Sequence, residues 1–77
     1  MAQVDRREEL TDDIREGFGL VLTFADVAKA AKCSVSTARR AFWRGELVGS
    51  RFQRGGPVRF TARAVADWII AGEDRAY

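Results

Sequence analysis

Apolar residues recur at helical spacing in several short stretches of this chain, and between the stretches they gather into brief β-prone runs. Leu10 and Ile14 lie one turn apart, Asp5 with Glu8 three residues on has the form of a capping pair, and Gly17 suits a helix end. A helix over 6–16 follows. Its apolar stripe is thin, which fits either a frayed arm or a segment that docks on something. Leu20, Val21 and Leu22 form a short strand-like run. In Thr23-Phe24-Ala25-Asp26 the threonine can accept from the amide three residues on, while Asp26 suits the positive end of a helix dipole. Phe24, Val27, Ala28 and Ala31 then share one face, with Lys29 and Lys32 off it, and the helix ends near Lys32. Ser34 offers a second cap, and Ala38, Ala41, Phe42 and Gly45 repeat the spacing. Two short helices meet across a three-residue turn.

Small residues at 28, 31, 38 and 41 allow those helices to approach closely, which is what a helix-turn-helix needs and what an ordinary αα-hairpin also permits. The outward positions of the second helix distinguish the two. They are Ser36, Thr37, Arg39, Arg40, Trp43 and Arg44, with no acid until Glu46. Arginine can donate twice to guanine or grip a phosphate, and hydroxyls near the helix start, Ser34 included, can bond phosphate or base. Arg39 and Arg40 are the foremost candidates. Trp43 is placed either to roof the core edge or to abut a sugar-phosphate backbone.

After Gly45-Glu46-Leu47, strand character over 47–53 and 58–60 flanks Arg54-Gly55-Gly56-Pro57, predicting a β-hairpin with Val58 and Phe60 on one face and Arg59 on the other. Such a hairpin is a wing or a plain solvated turn. As a wing, Arg51, Arg54 and Arg59 supply charge, and Gly55 permits positive φ and close approach to a minor groove. Thr61 caps a last helix in which Val65, Trp68 and Ile69 form the core stripe and Gly72 is the terminator. Trp68 reads as core. Ala66 and Ile70 fall off that stripe, where exposed apolar residues could mark a contact between protomers.

Composition narrows the function. A chain of 77 residues carries one domain and leaves little room for a catalytic cleft. There is no histidine and a single cysteine, Cys33, so no internal disulfide forms, a metal site and any cofactor are not expected, and proton-transfer machinery is missing. The chain reads as non-enzymatic. No apolar run is long enough for a membrane span, and the charged start, MAQVDRREEL, does not resemble an export signal; a cytoplasmic location is expected. The net charge of +2 conceals a basic block: residues 18–63 hold nine basic against two acidic side chains, a net +7, between ends of −3 and −2. That block suits a polyanion, because neutralising phosphates releases condensed counterions.

The run from Leu20 to Ile70 resembles the winged-helix domain shared by phage excisionases and MerR-type regulators. The resemblance rests on S-x-x-T-x-R-R at Ser34, Thr37, Arg39 and Arg40, the R-G-E-L exit at 44–47, and the D-W-I close at 67–69. Cys33 departs from the pattern, where valine is more usual, and reads as a small buried residue more readily than as a redox switch. The resemblance implies a mainly α fold with a small β-hairpin, a winged helix-turn-helix DNA-binding domain. Residues 1–19 would be a charged helix or arm, 20–72 the winged helix-turn-helix, and 73–77 a short tail.

The resemblance further implies double-stranded DNA as partner, with the recognition helix in the major groove and the wing in the minor groove. The long dimerisation helix of full MerR regulators is missing, so the likeness runs to the excisionases, architectural proteins that bind tandem sites, bend DNA and promote integrase-mediated prophage excision. A phage integrase and head-to-tail self-association on DNA are the other expected partners. Two rivals stand beside this: a small MerR-like transcription regulator, and a protein-interaction module docking through the hairpin and Trp43.

Overall fold

The computed structural model describes residues 5–51 and 53–75, with side chains through Glu73. Residues 1–4 of the predicted arm, Phe52 of the predicted hairpin, and residues 76 and 77 of the tail lie outside the described residues. In chain order the elements are α1 (Arg6–Phe18), β1 (Val21–Leu22), α2 (Phe24–Ala31), α3 (Val35–Trp43), β2 (Phe60–Thr61) and α4 (Ala62–Arg75). This is the mainly helical architecture with a small sheet that the residue pattern predicts.

Helix α1 starts where expected, with a different cap. Asp5 accepts from the amide of Arg7 at 2.9 Å, and no reciprocal bond from Glu8 completes a box. The helix also runs through Gly17, the predicted terminator, to Phe18. A helical glycine costs only about 1 kcal/mol, and the chain turns instead at Gly19, whose φ of 90° excludes most side chains. Of the two readings for this segment, docking is the observed one. Ile14 is buried in the core, Leu10 and Phe18 pack against it, and α4 is the main neighbour of α1. Arg7 Nε meets Asp67 Oδ1 at 2.6 Å, and Arg6 pairs with Glu73, so the first turn of α1 is paired with α4.

The central pair forms as the capping residues dictate. Thr23 Oγ1 accepts from the Asp26 amide and Asp26 Oδ2 from the Thr23 amide, both at 3.1 Å, a complete capping box. Helix α2 ends at Lys32 in the left-handed region, and Ser34 caps α3 by accepting from the Thr37 amide at 3.1 Å. Val27, Ala28, Ala38 and Ala41 are buried where the helices meet, so the alanines act as the thin contact that close packing demands.

The sheet differs from the predicted hairpin. β1 pairs antiparallel with β2, Val21 opposite Thr61 and Leu22 opposite Phe60, while among the described residues segments 47–53 and 58–60 share the bridge Ser50↔Arg59. Both backbone bonds of that bridge are 2.8 Å. Around this bridge Leu47 turns wholly into the core, Pro57 has no amide to donate, and Gly49 abuts Phe60. Beyond this bridge the described residues of the wing form a loop, with Gly55 at φ 75° and the Gly56 amide donating to Gln53 O at 2.9 Å.

Thr61 caps α4 by accepting from the Ala64 amide at 3.1 Å, as predicted, but the helix does not stop at Gly72. It continues to Arg75, since Gly72 faces open space and the neighbouring Glu73 is held by Arg6. Ala66 is likewise not exposed. It is fully buried beside Ala62 and Val65, because α4 packs against both the sheet and α1 and needs a wider apolar face than one stripe. Trp68 and Ile69 are half-buried against the core. At the centre Phe24, Phe42 and Phe60 meet edge to face, with centroids 4.9 to 5.9 Å apart. Among the described residues no helix is long and apolar enough to cross a membrane.

Candidate nucleic-acid interface

Burying Ala38 and Ala41 turns the rest of α3 outward, and Ser36, Thr37, Arg39, Arg40, Trp43 and Arg44 are all exposed. Helical geometry sorts them. Residues four apart line up along one face, so Val35, Arg39 and Trp43 form one stripe and Ser36, Arg40 and Arg44 form a second, displaced by about 100° around the axis. The Ser34 hydroxyl accepts from the Thr37 amide and lies 2.9 Å from the Thr37 hydroxyl, so these two groups are engaged in the cap although both residues are exposed.

The first stripe faces the wing. Between α3 and the wing lies an open groove of about 700 Å³ lined by Arg39, Trp43, Arg51, Pro57 and Arg59, with Phe24 at its base. Arg39 rests over the Phe24 ring, its guanidinium carbon 5.6 Å from the centroid, a cation–π contact that orients it toward this groove. Arg59 is half-buried and donates to the Val58 carbonyl at 3.2 Å, which holds it on the outer side of the sheet. Arg51, Arg54 and Gly55 are exposed along the wing. Trp43, with 77% of its surface exposed, does not roof the core; it is a wall of the groove.

Charge is segregated between the two sides of the molecule. Ion pairs engage Arg6, Arg7, Arg15 and Arg63, on α1 and α4, and the arginines of α3 and of the wing take part in none of these. No acidic residue lies in the first turn of α3. Arginine outside these ion pairs, gathered on one surface, is an attractive field for a polyanion. Cys33, in the turn between α2 and α3, is half-buried, and burial pushes its thiol above the ordinary value. That disfavours the reactive thiolate. Among the described residues no group of three or more metal-ligating side chains gathers.

The structure thus brings Arg39, Trp43, Arg51 and Arg59 to one groove, leaves Ser36, Arg40 and Arg44 on a neighbouring face, and puts Arg54 and Gly55 at the wing tip. Sequence reasoning did not assign Phe24, Val35 or Pro57 to this surface. For Val35 a signal existed, its place four and eight residues before Arg39 and Trp43; for Phe24 and Pro57 only folding shows it. The sequence model of a family described as a helix-turn-helix domain matches residues 21–72, from β1 into α4. No curated protein and no solved structure matches the chain.

Proposed function

The chain belongs to this helix-turn-helix domain family, and from that premise we propose that it acts on duplex DNA as an excisionase-like architectural protein. The helix-turn-helix domain indicates DNA binding, and the fold is a winged helix-turn-helix, mainly α with a small antiparallel sheet. Residues 20–72 are the DNA-binding unit in this reading. Helix α3 enters the major groove, presenting Ser34, Ser36, Thr37, Arg39, Arg40, Trp43 and Arg44, while Arg51, Arg54, Gly55 and Arg59 of the wing follow the minor groove.

The observation that carries the reading is the acid-free arginine face of α3 continuing across the groove to the wing arginines. The excisionase refinement is supported by the likeness of the 20–70 run to that group. In this mechanism protomers bind tandem sites head to tail, and the repeated contact offsets a bending cost of roughly 1 to 6 kcal/mol per site. Integrase occupancy then rises because the bent DNA brings its sites together. A transcription regulator of the same fold is the competing assignment.

Gel-shift titration on phage attachment-site DNA and on a scrambled duplex, with and without integrase and at two salt concentrations, tests the proposal. Cooperative ladders on attachment-site DNA with raised integrase occupancy are expected. Site-specific binding that is non-cooperative and indifferent to integrase would leave the regulator; binding insensitive to salt and to loss of the α3 arginines would point to a protein partner.

A further inference from the structure

We infer that the two adjacent arginines of the recognition helix do different jobs: Arg39 grips one sugar-phosphate strand seated in the groove between α3 and the wing, and Arg40 reads bases. The inference rests on the DNA-binding reading and adds an assignment to it. Duplex geometry supplies the first step. The major and minor grooves are separated by a single phosphodiester strand, so a protein with a helix in one and a wing in the other must pass that strand through the space between them. Here that space is the groove lined by Arg39, Arg51 and Arg59 with Trp43 and Pro57, a cationic rim on an apolar wall that fits phosphates beside deoxyribose.

Two further features fit the same occupant. The groove is also bordered by Phe24 and Ala25, the first residues of α2, whose amides have no intrahelical acceptor and face outward at the positive end of the helix. Arg39 already contacts the Phe24 ring, which favours the side-chain direction toward this groove. Arg40 lies about 100° around the helix from Arg39, and among the described residues no ring contact holds it to the groove side. It shares its stripe with Ser36 and Arg44, short and long donors suited to base edges.

The division is measurable because phosphate and base contacts have different signatures. A site is first selected by the wild-type protein from a random-sequence duplex pool, and R39A, R40A, R51A and R39K are then titrated on it and on a scrambled duplex between 50 and 200 mM salt. R39A and R51A should weaken binding to both duplexes by the same factor and make the slope of log affinity against log salt shallower by about 0.9 each. R40A should lower the ratio of specific to scrambled affinity by about 5- to 150-fold. R39K should recover most of the R39A loss, because a point charge serves a phosphate and fails a bidentate base contact. All three positions are exposed, and matching circular dichroism spectra check that each variant folds. A wild-type protein without salt-dependent binding to any duplex overturns the DNA reading itself. Wild-type binding in which R39A lowers the specificity ratio, or R40A weakens both duplexes equally, overturns only the division of labour.

Discussion

Replacing Phe60 with leucine should lower the melting temperature by about 10 °C, and the reason lies in the three-ring cluster that joins α2, α3 and the sheet. Phe60 is 1% exposed and sits edge to face against Phe24 at 4.9 Å and Phe42 at 5.9 Å. Leucine keeps most of the apolar volume but loses both ring pairs, each worth roughly 0.5 to 1.5 kcal/mol beyond area burial. A loss near 2 kcal/mol is a large share of what a domain this size holds, roughly 4 to 12 kcal/mol at the usual per-residue stability. At about 4 to 8 °C per kcal/mol for small domains, the melting temperature falls by about 8 to 16 °C. Thermal unfolding followed by circular dichroism at 222 nm for the wild type, F60L, F24L and the double variant measures it. The rings act as a unit only if the double variant costs less than the two single variants together. Strict additivity, or an F60L shift below about 2 °C, would refute the clamp, and the sheet would then owe its position to Leu22 and Leu47 alone.

Gly49→Ala should destabilise by about 1 to 3 kcal/mol in urea titrations, because its Cβ would lie 2.6 Å from Phe60 Cε1 and 2.7 Å from Val58 Cγ1, both in buried residues; an unchanged midpoint would mean the wing shifts freely. Ile14→Ala should cost about 2 to 5 kcal/mol in a single cooperative transition, and an unaltered urea midpoint would show that α1 unfolds separately from the core. Trp43→Ala should leave stability within about 0.5 kcal/mol yet weaken DNA binding in the gel shift, since the side chain is 77% exposed on the groove; equal affinity would remove Trp43 from the interface. Cys33 should react with iodoacetamide more slowly than the same thiol in the urea-unfolded chain at pH 8, because burial raises its folded value and leaves less thiolate at that pH; equal rates would contradict that burial.

The candidate surface was legible because its signals are local. Capping at Thr23 and Ser34, alanines at the helix contact, and the outward arginines of α3 all follow from spacing within a dozen residues, and all appear in the structure. What spacing did not reveal was orientation: Arg39 and Arg40 read as equivalent in the chain and diverge only once Phe24 and the wing stand beside one of them. The pairing of β2 with β1 was not legible for a related reason. Strand propensity over 47–53 marked an extended segment, but which strand pairs with β2 depends on β1, nearly forty residues before it.

Helix ends divide along the same line. Where a side-chain oxygen reaches a nearby amide, sequence alone determined the boundary, because the cap bond spans three residues and needs no other partner. Glycine gives permission to stop and no instruction, so α1 passed Gly17 and α4 passed Gly72, with Arg6 and Glu73 bridging the two helices. Local spacing thus specified the helix-turn-helix, its arginine face and the basic block that surrounds it. It took folding to place the N-terminal helix against the core, to bury Ala66, and to bring three separated arginines to the border of one groove, because each depends on burial between elements far apart in the chain.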